Sequence, residues 1–301
     1  MLLHSMNIAT ESVSADDITR LLKAAASLGV LGSGTLSAPS LLSALCNPGV
    51  TIAELSALLE QEPGLTIRVL RVANSAFYGG SRSVNTLDRA LVVLGLDAVR
   101  GIAAAACLDR TVMRAPELAC VDRPAFVRHS LATAVSAEGL ARIHHPRLAG
   151  EAFVGGLLHN LGILLQTLLN PEGGKALIAA LQVDPYQDIR ALEAQLNLIG
   201  HENCAAIVFE SWHLPASLVA AAGNHHAVLP TLHAHRTLAA LIQLGTHCAA
   251  ATGHGFPMEP LTRVPDAAAM ALLDLSEETL AGITNVLSER MSVLHQCLSD
   301  L

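Results

Sequence analysis

The doublet His159-Asn160 stands in an apolar run, Gly155-Gly156-Leu157-Leu158-His159-Asn160-Leu161-Gly162, where two adjacent polar side chains call for a reason. An imidazole followed by a carboxylate would offer a divalent cation one neutral and one anionic ligand. That combination can activate a water for attack on phosphorus. Asparagine in second place is neutral and a poor ligand, so the doublet keeps the nitrogen and loses the charge. His129, His201, His225, His226 and His247 widen the question, because helices could bring them together with His159. A cluster of imidazoles can hold one iron or zinc ion without hydrolytic activity. The same residues could instead be core histidines that hydrogen-bond to helix backbone or to one another. Asn160 suits that second reading, since it donates and accepts without needing a counter-charge.

The elements that must position these groups are helices. Of 301 residues 51% are hydrophobic but only 3% aromatic, so the core is built from Leu, Ala, Val and Ile, a mixture that favours helices over strands. A chain of this length can bury a substantial core as one large domain or two modest ones. The formal net charge of −8 argues against a nucleic-acid surface. Mean hydropathy is high at +0.46, yet the most apolar segment, Ala90 to Leu108, is interrupted by Asp97 and Arg100, and no span of the roughly 20 residues that cross a bilayer is expected. The first residues, Met1-Leu2-Leu3-His4-Ser5, lack the basic and apolar regions of a signal peptide. The six cysteines (46, 107, 120, 204, 248 and 297) contain no Cys-x-x-Cys pair, so neither a disulfide framework nor a zinc ribbon is indicated. The expectation is a soluble, mostly helical protein of a reducing, cytoplasmic compartment.

Helix punctuation recurs along the chain. Ser14 precedes Asp16-Asp17 and an apolar series that Gly29 would stop. Thr51 and Glu54 have capping-box spacing, and Pro63 sits where the next helix would begin. Further helices are predicted at 86–94, 97–108, 123–143, 149–169, 186–199, 201–212, 215–223, 236–251 and 276–298. Asn47-Pro48-Gly49, Gly79-Gly80, Asn170-Pro171 and Gly253-His254-Gly255 read as connections. The weakest seam is near 111–124, between Pro116 and Pro124. It divides residues 14–115 from residues 116–300.

Two motif groups carry a resemblance. One is Leu70-Arg71-Val72-Ala73-Asn74-Ser75-Ala76-Phe77-Tyr78-Gly79, followed by Ala90-Leu91-Val92-Val93-Leu94-Gly95. The other is Arg128-His129-Ser130, the His159-Asn160 run, Glu210-Ser211-Trp212-His213-Leu214-Pro215 and then His225-His226. In this order and spacing, over about residues 30 to 250, the chain resembles the HDOD domain, a bacterial signalling module related to the HD metal-dependent phosphohydrolases. The resemblance implies an all-α, two-lobed fold, an N-terminal helical lobe (14–115) on an HD-like helical lobe (116–300).

HD phosphohydrolases bind metal through a first His, a His-Asp doublet and a later Asp, and His129 and His159 match the two histidines. Asn160 replaces the doublet aspartate, and Thr246 falls where the later one is expected. The related cyclic-dinucleotide phosphodiesterases carry a glutamate after a His pair and a Gly-Tyr-Pro signature, whereas Ala227 follows His226 and no Gly-Tyr-Pro occurs. The expectation is therefore a non-catalytic regulator, with no cofactor expected; the alternative is a divalent or iron ion at His129, His159, His201, His225, His226 and His247. Implied partners are signalling proteins: a histidine kinase, a response regulator, or a diguanylate cyclase or phosphodiesterase. Neither nucleic acid nor membrane is an expected partner. A degenerate phosphohydrolase or phosphodiesterase and a metal-based redox sensor are the competing readings. Asn74, Ser75, Phe77, Tyr78, Gly79 and Trp212 are expected to be architectural. Arg68 and Arg71, at i,i+3, could face an anion or simply lie on a solvated helix face.

Overall fold

A computed structural model describes residues 13–30, 47, 49–75, 83–113, 118–227, 233–258 and 264–285. Among the described residues the fold is entirely helical, without a strand. The first helices are α1 (Ala15–Val30), α2 (Ile52–Glu60), α3 (Pro63–Ala73), α4 (Leu87–Leu94) and α5 (Leu96–Met113). Next come α6 (Arg123–His144), α7 (Ala149–Leu158), α8 (Leu161–Leu169), α9 (Pro171–Val183) and α10 (Ile189–Gln195). The chain continues through α11 (His201–Ser211), α12 (Ala216–Ala222), α13 (Arg236–Ala251), α14 (Ala267–Leu272) and a last helical stretch at 277–285.

Local chemistry explains the boundaries. Thr51 and Glu54 do close a reciprocal capping box: the Thr51 amide donates to Glu54 Oε2 at 2.8 Å, and the Glu54 amide donates to Thr51 Oγ1 at 3.3 Å. Pro63 occupies the first turn of α3. Asn74 ends that helix, donating through Nδ2 to the carbonyls of Leu70 (2.8 Å) and Val84 (2.7 Å) and accepting the Val84 amide at 2.8 Å. Ser75 Oγ donates to the Val72 carbonyl at 2.7 Å. Phe77, Tyr78 and Gly79 lie outside the described residues, as do 286–298 of the helix predicted at 276–298.

Three departures from the predicted elements stand out, and two of them come from the double meaning of turn-forming residues. Asn170-Pro171 is a helix start as well as a connection: the Asn170 side chain accepts the Gly173 amide at 3.0 Å, and Pro171 opens α9. Asp266 caps the short α14 in the same way, accepting the Ala269 amide at 2.7 Å. The helix predicted at 149–169 is broken at His159-Asn160 into α7 and α8. The run Pro146–Leu169 is long and apolar enough to cross a membrane, but 89% of its most apolar window is buried inside the fold.

The core is organised around α6, whose most extensive contacts are with α7 and α13. Its buried positions include Phe126, Leu131, Val135 and Leu140, and also His129, Ser130 and Thr133. Gly156 lets α7 lie directly on α6, since a Cβ there would come within 2.8 Å of the Ala134 backbone. α2, α3, α4 and α5 pack on one another, and α5 reaches α6 and α7. α1 lies against α8 and α11 and also touches α5. Arg68, read from sequence as facing an anion or solvent, instead pairs with Asp109 of α5 at 3.1 Å.

Candidate functional site

Five of the predicted histidines form a continuous chain of rings. His129 comes from the middle of α6, His159 from the break after α7, and His201 from the first position of α11; His225 and His226 follow α12. Ring centroids are 5.4 Å apart for His129–His159, 5.1 Å for His159–His225, 5.1 Å for His225–His201 and 5.0 Å for His201–His226. His129, His159, His201 and His225 are buried, and His226 is partly exposed.

Hydrogen bonds assign the tautomers. His129 Nδ1 meets the His254 carbonyl at 2.9 Å, His159 Nδ1 the Gly156 carbonyl at 2.7 Å, and His225 Nδ1 the Ala222 carbonyl at 2.8 Å. A carbonyl only accepts, so each Nδ1 carries the proton and each Nε2 a lone pair in the neutral ring. Burial, the largest influence in each case, holds these imidazoles neutral: His129 is pushed down to about 4, and His159, His225 and His226 fall well below the ordinary histidine value. The neighbouring imidazoles add to the depression of the last three.

His201 is anchored differently. Its Nδ1 lies 2.7 Å from Glu193 Oε1, and its backbone N–H donates to the same oxygen at 3.0 Å. Gln166 Nε2 donates to that oxygen at 2.8 Å and to the Ile199 carbonyl at 2.6 Å. Burial works against ionisation of Glu193, but His201 and these hydrogen bonds outweigh it and hold the carboxyl below its usual range. The His201 Nδ1 proton therefore faces a carboxylate, which turns Nε2 toward His225 and His226. Gly162 of α8 lets that helix rest on the start of α11; a Cβ there would run into the His201 carbonyl and come within 3.0 Å of the Ala205 nitrogen.

The two ends of the ring chain present different chemistry. His201 Nε2 lies 3.3 Å from His225 Nε2 and 3.1 Å from His226 Nε2. One ring nitrogen cannot hydrogen-bond well to two neighbours at once, and His225 Nε2, a lone pair opposite the proton on Nδ1, has none to give. A cation shared by the three nitrogens would give each lone pair a partner, and the two spacings from His201 are close to the edge of about 3.3 Å expected between imidazole ligands of one metal ion. Among the described residues these three histidines form the one group of metal-ligating side chains whose donor atoms all lie within 4.8 Å of one another. His129 Nε2 and His159 Nε2, by contrast, are buried without a hydrogen-bond partner. At the two positions where the resemblance places aspartates, Asn160 is fully buried and Thr246 turns its hydroxyl back to the Gln243 carbonyl at 2.7 Å. His247 is half-buried on α13, outside the three-nitrogen group.

One more predicted residue, Trp212, lies at the far end of the helix that begins at His201, and an aromatic ring that was not predicted, Phe256, lies at the His129 end. Trp212 caps α11 and stacks on Phe209 with centroids 6.2 Å apart. Phe256 lies over the His129 ring at 6.2 Å and closes that end of the chain. Glu193 and Gln166 escaped the sequence reading, although Glu193 sits four residues after Ile189 on the apolar stripe of α10, where a carboxylate demands a partner.

Comparison with known proteins agrees with this architecture. The structure is similar to an HDOD domain protein of unknown function from Geobacter sulfurreducens (TM-score 0.71, 20% identity, covering 93% of this chain and 98% of that one). It is also similar to a candidate signal transduction protein from Marinobacter aquaeolei VT8 (0.72, 22%, covering 98% and 67%), and to a candidate phosphohydrolase from Shewanella amazonensis SB2B (0.67, 24%, covering 93% and 98%). A curated protein of Treponema pallidum, uncharacterised, is 25% identical over 186 residues; the match spans 61% of this chain and 35% of that relative. The HDOD domain model matches residues 36–228, a stretch that contains the Asn74-Ser75 helix end and every ring of the histidine chain. The matched stretch is well over half the sequence, and the chain belongs to the HDOD domain family.

Proposed function

We propose that this HDOD protein is a non-hydrolytic regulator whose core is organised around one transition-metal ion held by His201, His225 and His226. The observation that carries the reading is the convergence of three imidazole Nε2 atoms, those of His225 and His226 lying 3.3 and 3.1 Å from that of His201. When bound, a borderline ion such as zinc or iron would act as a Lewis acid in a polar pocket enclosed by apolar helices. The protein's own groups do the rest. Glu193 and the Ala222 carbonyl orient two of the rings, and Glu202, which accepts the His226 amide at 3.0 Å, fixes the third ligand's backbone.

Hydrolysis by the route of the HD enzymes needs carboxylates that bridge metals and offset their charge. Asn160 and Thr246 supply neither. The output is then contact with another signalling protein, such as a kinase, a response regulator or a cyclic-dinucleotide enzyme, with the state of the metal core relayed through helix packing. The Marinobacter neighbour, a candidate signal transduction protein, supports this direction. The Shewanella neighbour, a candidate phosphohydrolase, makes the opposing reading concrete.

A turnover assay separates the two. Protein loaded in turn with zinc, iron and manganese is expected to hydrolyse neither bis(p-nitrophenyl) phosphate nor a cyclic dinucleotide faster than metal alone. Turnover that disappears in His225→Ala would overturn the proposal.

A further inference from the structure

We infer that Glu193, braced by Gln166, is the positioning residue of the histidine cluster: it locks the His201 tautomer and aims its Nε2 at His225 and His226. The inference rests on the metal-holding reading of those three histidines but goes to a residue that no motif marks. A single carboxylate oxygen, Glu193 Oε1, receives three donors: His201 Nδ1 (2.7 Å), the His201 amide (3.0 Å) and Gln166 Nε2 (2.8 Å). Glu193 and Gln166 are 2% and 1% exposed, so these bonds form away from water, where they are strong and costly to break.

The arrangement also ties together parts distant in sequence. Gln166 sits four residues after Gly162 on one face of α8, and Gly162 seats that helix on the His201 backbone. Gln166 also grips the Ile199 carbonyl, two residues before His201, at 2.6 Å. α8 begins directly after His159-Asn160, so one helix registers both ends of the ring chain. A ligand imidazole whose second nitrogen donates to a carboxylate is more basic and better oriented than one bonded to water.

The test uses the full-length protein and Co²⁺ as the probe, in competition titrations, together with ¹⁵N NMR of histidine tautomers in the metal-free state. Glu193→Ala is expected to weaken Co²⁺ binding by about 10- to 100-fold, the usual range for loss of such a support. His201 should also lose its uniform Nδ1–H tautomer. Glu193→Gln keeps an acceptor without the charge; it should keep the tautomer and lose about tenfold in affinity. It also serves if the alanine variant does not fold.

If wild type binds no Co²⁺, the metal reading fails and the tautomer shift alone decides the role of Glu193. A Glu193→Ala protein that retains both the tautomer and Co²⁺ affinity within twofold would overturn the inference. So would lowered stability with an unchanged tautomer.

Discussion

The two ends of the histidine chain were built with the same side chain and differ in everything around it. At the His129–His159 end each Nδ1 donates to a main-chain carbonyl and each Nε2 lacks a partner. At the other end His201 leans on a buried carboxylate, and three Nε2 atoms face one another within 3.1–3.3 Å of His201. The first end depends on groups from outside the ring pair to balance a cation, and Asn160 and Thr246 do not provide them. The second end carries its supporting carboxylate behind the ring rather than at the metal position, so it does not depend on the doublet. On the proposed reading, asparagine in the doublet withholds a carboxylate from one end and leaves the support of the other in place.

The largest expected effect comes from restoring the missing charge. Asn160→Asp places a carboxylate among buried neutral imidazoles and should cost about 3 kcal/mol or more in the metal-free protein. With Thr246→Asp added, manganese or zinc should recover much of that loss, and a second equivalent should bind. Denaturant titration with and without metal reads both results. If the double variant gains no second equivalent, the comparison between the ends is wrong.

Gly162→Ala should be nearly as damaging, about 3 kcal/mol, because the new methyl meets His201 and Ala205 backbone rather than a flexible side chain. It should also lower metal affinity, since the helix that carries Gln166 must move. Loss of stability with unchanged affinity would separate α8 from the cluster.

Acid should act through the neutral rings. His129 stays unprotonated in the fold down to about pH 4, whereas the unfolded chain takes up its proton near 6.5. A depressed pKa of this kind means full stability above 6.5 and a loss as pH falls toward 4, about 3 kcal/mol from this residue. Urea midpoints measured from pH 7 to 4 check it, and a His129→Gln variant should show a shallower fall.

Away from the chain the effects shrink. Thr51→Ala breaks the capping box of α2 and should cost about 1 kcal/mol, leaving metal binding unchanged in the same titrations.

Much of this difference was written locally in the sequence, and some was not. Thr51-Glu54 and Pro63 announced their helices because a cap is a contact between near neighbours. Asn170-Pro171 misled because a turn and a helix start use the same chemistry. The site histidines were legible as types, yet which of them converge depends on five helical segments far apart in sequence. His247, adjacent to Thr246, looked as eligible as His201 and stands outside the three-nitrogen group. Glu193 was hidden for the same reason: eight residues and a turn separate it from His201, and its only local signal is a carboxylate on an apolar stripe. That turn is itself unusual, with Asn197 at a positive φ of 52° and the Leu198 amide donating back to the Glu193 carbonyl at 2.9 Å.

The most direct test is the metal content of untagged protein, in wild type, His129→Gln and His225→Ala. One equivalent of a transition metal is expected in wild type, unchanged in His129→Gln and lost in His225→Ala. No metal in wild type, or loss in His129→Gln with retention in His225→Ala, would contradict that expectation.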